Sequence, residues 1–190
     1  VKEDYRLELR KIRFDRHMLR QIIQNGVPSG FQNSVIALAN VFVQSNINAF
    51  GKMAMAGCGS YSKIEGFVFL PVTCFNMALT TFVSQNLGAK QYDRAKKGAW
   101  FGILCSMSIA ELIGFAIYAV SPVLIAAFNS DPEVVHYGVM QAKTISLFYC
   151  VLAFSHCIAA VLRGSGNASV PMVVMLCVWC LFRASYITVA

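Results

Sequence analysis

The chain has 190 residues, 57% of them hydrophobic and 13% charged, with a formal net charge of +7. A soluble domain carries roughly 25% charged residues over its surface, whereas here no charge falls between Arg20 and Lys52, Glu65 and Lys90, Lys143 and Arg163, or Arg163 and Arg183. This patterning excludes an ordinary soluble domain, and unbroken apolar runs that do not alternate every second residue exclude a membrane β-barrel.

A hydrocarbon core is crossed by about 20 residues of helix, and each charge-free gap is near that size or larger. The sequence therefore predicts an all-α, polytopic membrane protein with about five spans. Residues 1–24 read as a basic cytoplasmic segment ending in a lead-in, and residues 25–190 as the transmembrane part. Arg10 to Gln24 reads as an amphipathic segment along the interface, with Phe14, Met18 and Ile22 on one side. Gly26-Val27-Pro28-Ser29-Gly30 is expected to break or bend the helix before the first span, which runs to about Phe50. Gly51 makes a short outer turn. The second span, Met53 to Leu87, is too long for one straight crossing, so Pro71 is expected to kink it and Gly88 to end it. Asp93 is expected to cap the third helix, which reaches about Val120. The fourth helix opens on Asp131-Pro132-Glu133, a cap, a first-turn proline and an acid at the positive helix end, and continues to Leu162. Gly164-Ser165-Gly166-Asn167 turns the chain into a fifth helix from about Ser169 to Ala190.

Charge placement sets the topology. Seven of the sixteen Lys and Arg residues lie in the first twenty positions, and Lys90, Arg94, Lys96 and Lys97 sit between the second and third spans. Basic loops stay in the cytoplasm, so both clusters are placed there, with the acidic turn from Asn129 to Glu133 on the opposite side. Nucleic-acid binding is the competing reading of these clusters, and the apolar spans beside them argue against it. The N-terminus carries no apolar core or small-residue cleavage site of a signal peptide. Val1 and the odd number of spans lead to the expectation of a fragment that continues on both sides. Cys177 and Cys180 form a C-x-x-C inside a span beside Trp179, without a second pair at metal-site spacing, and read as packing residues.

Chemistry must come from polar groups within the spans. Asn33, Asn40, Gln44 and Asn48 recur at helical spacing, with Ala37 filling the missing turn. Four amides facing lipid would be costly, so this face meets other helices or a water-filled cavity. At ~1.5 Å per residue, Glu111 lies about 18 Å beyond Ala99, near mid-bilayer, where a charge is either functional or paired; Arg183 is one possible partner. Glu65 falls near the outer interface if its span ends at Leu87, and Lys63 is too close in sequence to face it. His156, about 10 Å above Arg163, is either functional or a packing residue with one hydrogen bond. Lys143 reads as snorkelling to the outer headgroups.

Three segments carry a resemblance: Gly26-x-Pro28; Gln85-Asn86-Leu87-Gly88-Ala89-Lys90-Gln91-Tyr92-Asp93-Arg94-Ala95; and Leu162-Arg163-Gly164-Ser165-Gly166-Asn167 before Val170-Pro171-Met172. In this order and on this side of the membrane they resemble the multidrug and toxic compound extrusion family, from Phe14 onward. The resemblance implies that residues 1–24 are the cytoplasmic linker between lobes and residues 25–190 the second, C-terminal six-helix lobe, lacking its last helix, of a twelve-helix transporter in a bacterial inner membrane, with the remaining lobe and the lipid bilayer as partners. It implies export of an organic cation or drug, with no nucleic acid, no enzymatic role and no cofactor beyond a coupling Na⁺ or H⁺. It also tips the amide face towards the central chamber. One departure matters: some members carry an acid on the helix matching the first span, which here has amides only. Glu65 and Glu111 remain the acid candidates in this chain, and the alternative that the essential acid lies in the other lobe stays open. Two rivals are a lipid-linked sugar flippase of the same superfamily and a membrane-embedded enzyme using His156, Cys157 or the carboxylates.

Overall fold

The structure is a computed structural model that describes residues 15–178. Within them lie six helices: α1 (Arg16–Ala49), α2 (Lys52–Gly88), α3 (Tyr92–Ala126), α4 (Pro132–Ser146), α5 (Tyr149–Gly164) and α6 (Ser169–Met175). Helices α2 and α3 are each long and apolar enough to cross a membrane, and α4 with α5, bent by 57° at a short break, passes the same test as a pair and makes a third when the two are taken as one span. Helix α1 has the length, at 34 residues, but its amides dilute its apolar character. Residues Ser169–Val178 form a shorter apolar helix. The remainder of the expected fifth span, with Trp179, Cys180 and Arg183, and the lead-in before Asp15, lie outside the described residues.

Several local expectations change. The lead-in and first span are one uninterrupted helix: Asp15 caps α1 by accepting from the His17 and Met18 N–H groups at 2.8 and 3.2 Å, and Pro28 sits inside it. Proline is tolerated within membrane helices where local adjustments re-satisfy the freed backbone groups. Pro71 and Pro122 are likewise internal to α2 and α3, and α3 continues past Val120 to Ala126. Asp93 is not a cap; Gln91 holds that position without a side-chain bond, and Asp93 lies in the first turn, where its charge still favours the helix end. Gly88 ends α2, but the left-handed residue is Lys90, with φ 58°. The Lys90 and Gln91 N–H groups donate to the carbonyls of Leu87 and Asn86 at 2.9 and 2.8 Å, a Schellman closure centred two residues beyond Gly88. Asp131 caps α4 as expected, accepting from Glu133 N–H at 2.9 Å. The fourth span is not one helix: it ends at Ser146 and restarts at Tyr149.

The core lies among α2, α3, α4 and α5. Tyr61, Ile64, Val68 and Val72 of α2 pack with Ala110, Ile117 and Ile125 of α3, Ala142 of α4, and Tyr149 and Ala153 of α5. A second cluster nearer the inner ends joins Leu79, Ile103, Cys157 and Ala160. Backbones approach closely where side chains are smallest, as membrane helices require. A Cβ on Gly57 would stand 2.6 Å from the Val134 carbonyl and 2.9 Å from Gly138 N, and one on Gly114 would run into the Ser146 carbonyl. The outward faces carry large apolar side chains, such as Phe67 at 72% and Phe101 at 72% exposure. A soluble monomer does not expose so much apolar surface; hydrocarbon is its natural solvent.

Candidate functional site

The break in the bent span gathers the polar groups of the membrane interior. At its C-terminal side, Tyr149 opens α5 and turns inward, where its hydroxyl meets that of Tyr61 on α2 at 2.7 Å. Both tyrosines are buried, at 2% and 0% exposure. Two phenols carry two protons, and their mutual bond uses one; the other remains available to an acceptor. Glu65 lies one turn along α2 from Tyr61 and is half-buried.

The second carboxylate meets the same break from the other side. Glu111 of α3 accepts the Cys150 N–H at 3.1 Å. Cys150 is in the first turn of α5, whose N-cap, Phe148, makes no side-chain cap bond. A helix start leaves its first N–H groups unsatisfied and carries partial positive charge, so Glu111 caps α5 from a neighbouring helix. Glu111 borders an open groove of about 460 Å³ with Leu112 and Phe115. Arg183, its partner in one sequence-based alternative, lies outside the described residues.

The other expected residues are more dispersed. Asn33, Asn40, Gln44 and Asn48 form an exposed strip on α1, with Gln44 Nε2 donating to Asn48 Oδ1 at 3.2 Å. The buried amide of that helix is Gln32, at 3% exposure, which lies off the strip. His156 is half-buried and set edge-on to Phe69, with ring centroids 5.8 Å apart, a packing arrangement. Lys143 holds its Nζ 5.5 Å from the Tyr118 ring centroid, and Lys63 sits 5.4 Å from that of Phe128, so both cations lie over aromatic faces.

Towards the outer side, a cavity of about 450 Å³ opens among Ile47 and Phe50 of α1, Ala54 and Cys58 of α2, and Tyr137 and Gln141 of α4. Its lining is almost wholly apolar, yet Gln141 Oε1 is buried without a hydrogen-bond partner among the described residues. Such an acceptor is costly unless a donor reaches it. Glu65 is seven residues beyond Cys58, on the same face of α2. Neither Gln141 nor the tyrosine pair stands out in the sequence, because an amide or phenol in an apolar run gains meaning only from its burial. Among the described residues no three His, Cys, Asp or Glu side chains gather at metal-binding distance.

The family model MatE matches residues 28–187. The chain is 24% identical over 167 residues to the probable multidrug resistance protein YoeA of Bacillus subtilis, covering 88% of this chain and 36% of that protein. It is 26% identical over 161 residues to the probable multidrug resistance protein NorM of Thermotoga maritima, covering 84% and 35%. A solved MOP superfamily transporter from Pyrococcus furiosus superposes with a TM-score of 0.78 at 17% identity, covering 83% of this chain and 35% of that one. The chain thus spans about a third of the length of these relatives, with 36% of the first covered. The membrane-spanning helices, the bent span and the match over most of its length agree: the chain belongs to the MatE family, whose members are multi-pass membrane transporters and not enzymes.

Proposed function

We propose that the transporter containing this lobe exports organic cations in exchange for Na⁺ or H⁺, by rocking of two lobes about a central chamber. The observation that carries the reading is the buried Tyr61–Tyr149 pair at the break of the bent span, with Glu65 one turn along α2 from Tyr61 and an apolar cavity whose Gln141 Oε1 is unpartnered among the described residues. The apolar walls suit the body of a lipophilic cation, and Gln141 Oε1 suits its N–H donor. Glu65 supplies the charge that both the cation and the coupling ion need. One carboxylate cannot neutralise both at once, so occupancy is mutually exclusive, which is the requirement for exchange. Glu111 serves the same break differently, since its carboxylate is already engaged by the Cys150 N–H.

Energetics require coupling. Moving one positive charge outward against 100 mV, inside negative, costs about 2.3 kcal/mol. Inward movement of one cation cancels that term, and its concentration gradient supplies the remainder. The flippase alternative asks for basic side chains around the cavity to hold a diphosphate, and the residues lining it include none. In an efflux-deficient bacterium, the full-length gene is expected to confer ethidium export that follows an imposed Na⁺ or H⁺ gradient. Glu65→Gln is expected to lower gradient-driven export at least tenfold at normal expression. Equal export by wild type and Glu65→Gln would remove Glu65 from the coupling site. Absence of cation export by wild type under every gradient would put the flippase first.

A further inference from the structure

We propose that the inner ends of α2, α3 and α5 form a specific site for an anionic phospholipid. A cavity of about 400 Å³ opens there, walled by Leu87 of α2 and by Ile158 and Val161 of α5, with Tyr92, Lys96 and Trp100 of α3 along its edge. Those three residues are spaced four apart, so they stack on one face of α3 as aromatic, cation, aromatic. Tyr92 is 64% and Trp100 54% exposed, the amphipathic setting that tyrosine and tryptophan take at headgroup depth.

Chemistry selects the occupant. The walls are apolar, which suits an acyl chain, and the rim offers the Lys96 ammonium to a phosphate. Lys96 makes no ion pair or hydrogen bond with another described residue, whereas Arg94 is engaged by the Gln91 side chain at 3.3 Å. Lys90, Arg94 and Lys97 surround it, and the acid in that stretch is Asp93 alone, so the rim is strongly positive. Basic pockets between transmembrane helices on the cytoplasmic side bind anionic headgroups. The acyl chain would lie against Val83 and Leu87 of α2, Ala99 and Ile103 of α3, and Ile158 and Val161 of α5, and so touch all three packed spans.

Trp100 reports on the site directly. In the full-length transporter, with Trp100 kept as the sole tryptophan and reconstituted in phosphatidylcholine, brominated phosphatidylglycerol is expected to quench its emission at several-fold lower mole fraction than brominated phosphatidylcholine. Lys96→Gln is expected to reduce that preference about fivefold, while Lys97→Gln, one residue away and outside the cavity, leaves it unchanged. Equal quenching by the two lipids, or no quenching by either, would overturn the proposal. So would equal losses in Lys96→Gln and Lys97→Gln, which would assign the preference to the diffuse charge of the loop.

Discussion

The three packed spans and helix α1 solve the membrane problem in opposite ways. In α2, α3 and the α4–α5 pair, several polar groups at membrane depth find partners within the lobe: Tyr61 with Tyr149, Glu111 with the Cys150 N–H, and the Thr80 hydroxyl with the Ala160 carbonyl at 3.2 Å, although Asn76 Oδ1, Ser106 Oγ and Gln141 Oε1 are buried without one among the described residues. In α1, Gln32 is the one described residue that is fully buried, and the row Asn33, Asn40, Gln44 and Asn48 is exposed. Hydrocarbon offers nothing to such amides. The difference teaches that the packed spans bury their faces against one another, while α1 presents a surface that suits something beyond it, water or another helix.

Substitutions at glycine sharpen that contrast most. Gly57→Val should destabilise the protein by about 3 kcal/mol or prevent folding, because its side chain meets the α4 backbone. Gly30→Ala in α1 meets nothing within 4 Å and should leave stability equal or raised by up to about 1 kcal/mol; thermal unfolding in detergent measures both. Comparable losses at the two sites would erase the distinction. Next in size, Glu111→Ala should cost about 1–3 kcal/mol by leaving a helix start uncapped, read by the same melt, with export lowered in proportion to folded protein.

The tyrosine pair gives a smaller and more diagnostic effect. Tyr149→Phe should cost about 1–2 kcal/mol by stranding the Tyr61 hydroxyl, and adding Tyr61→Phe should recover much of that loss. A double-mutant cycle with no coupling would break the account of the site. The smallest stability effect is expected in α1: Asn40→Ala and Gln44→Ala should each shift stability by no more than about 0.5 kcal/mol while lowering ethidium export several-fold. A stability loss like that of the packed spans would instead make the amide row a structural interface.

Much of the fold was legible because it rests on local rules. The charge-free runs mark the spans, and Asp131-Pro132-Glu133 marks the start of α4 through capping that needs no tertiary partner. The break after Ser146 was not legible. The sequence Ser146-Leu147-Phe148-Tyr149 contains neither glycine nor proline, and the restart is capped by Glu111, 39 residues from Cys150. Conversely, Gly26 and Pro28 read as a break, yet α1 runs through both. At the site, Glu65 and Glu111 were visible as rare charges in apolar runs, but their different company was not. Gln141 went unnoticed because an amide becomes conspicuous only when its acceptor is buried without a donor.

The most direct test places the purified full-length transporter in proteoliposomes and follows ethidium uptake against an imposed Na⁺ or H⁺ gradient. The account predicts accumulation that collapses when an ionophore dissipates one of these gradients and is lost in Glu65→Gln with the protein still folded. Accumulation that survives dissipation of both gradients, or that is unchanged in Glu65→Gln, would contradict it.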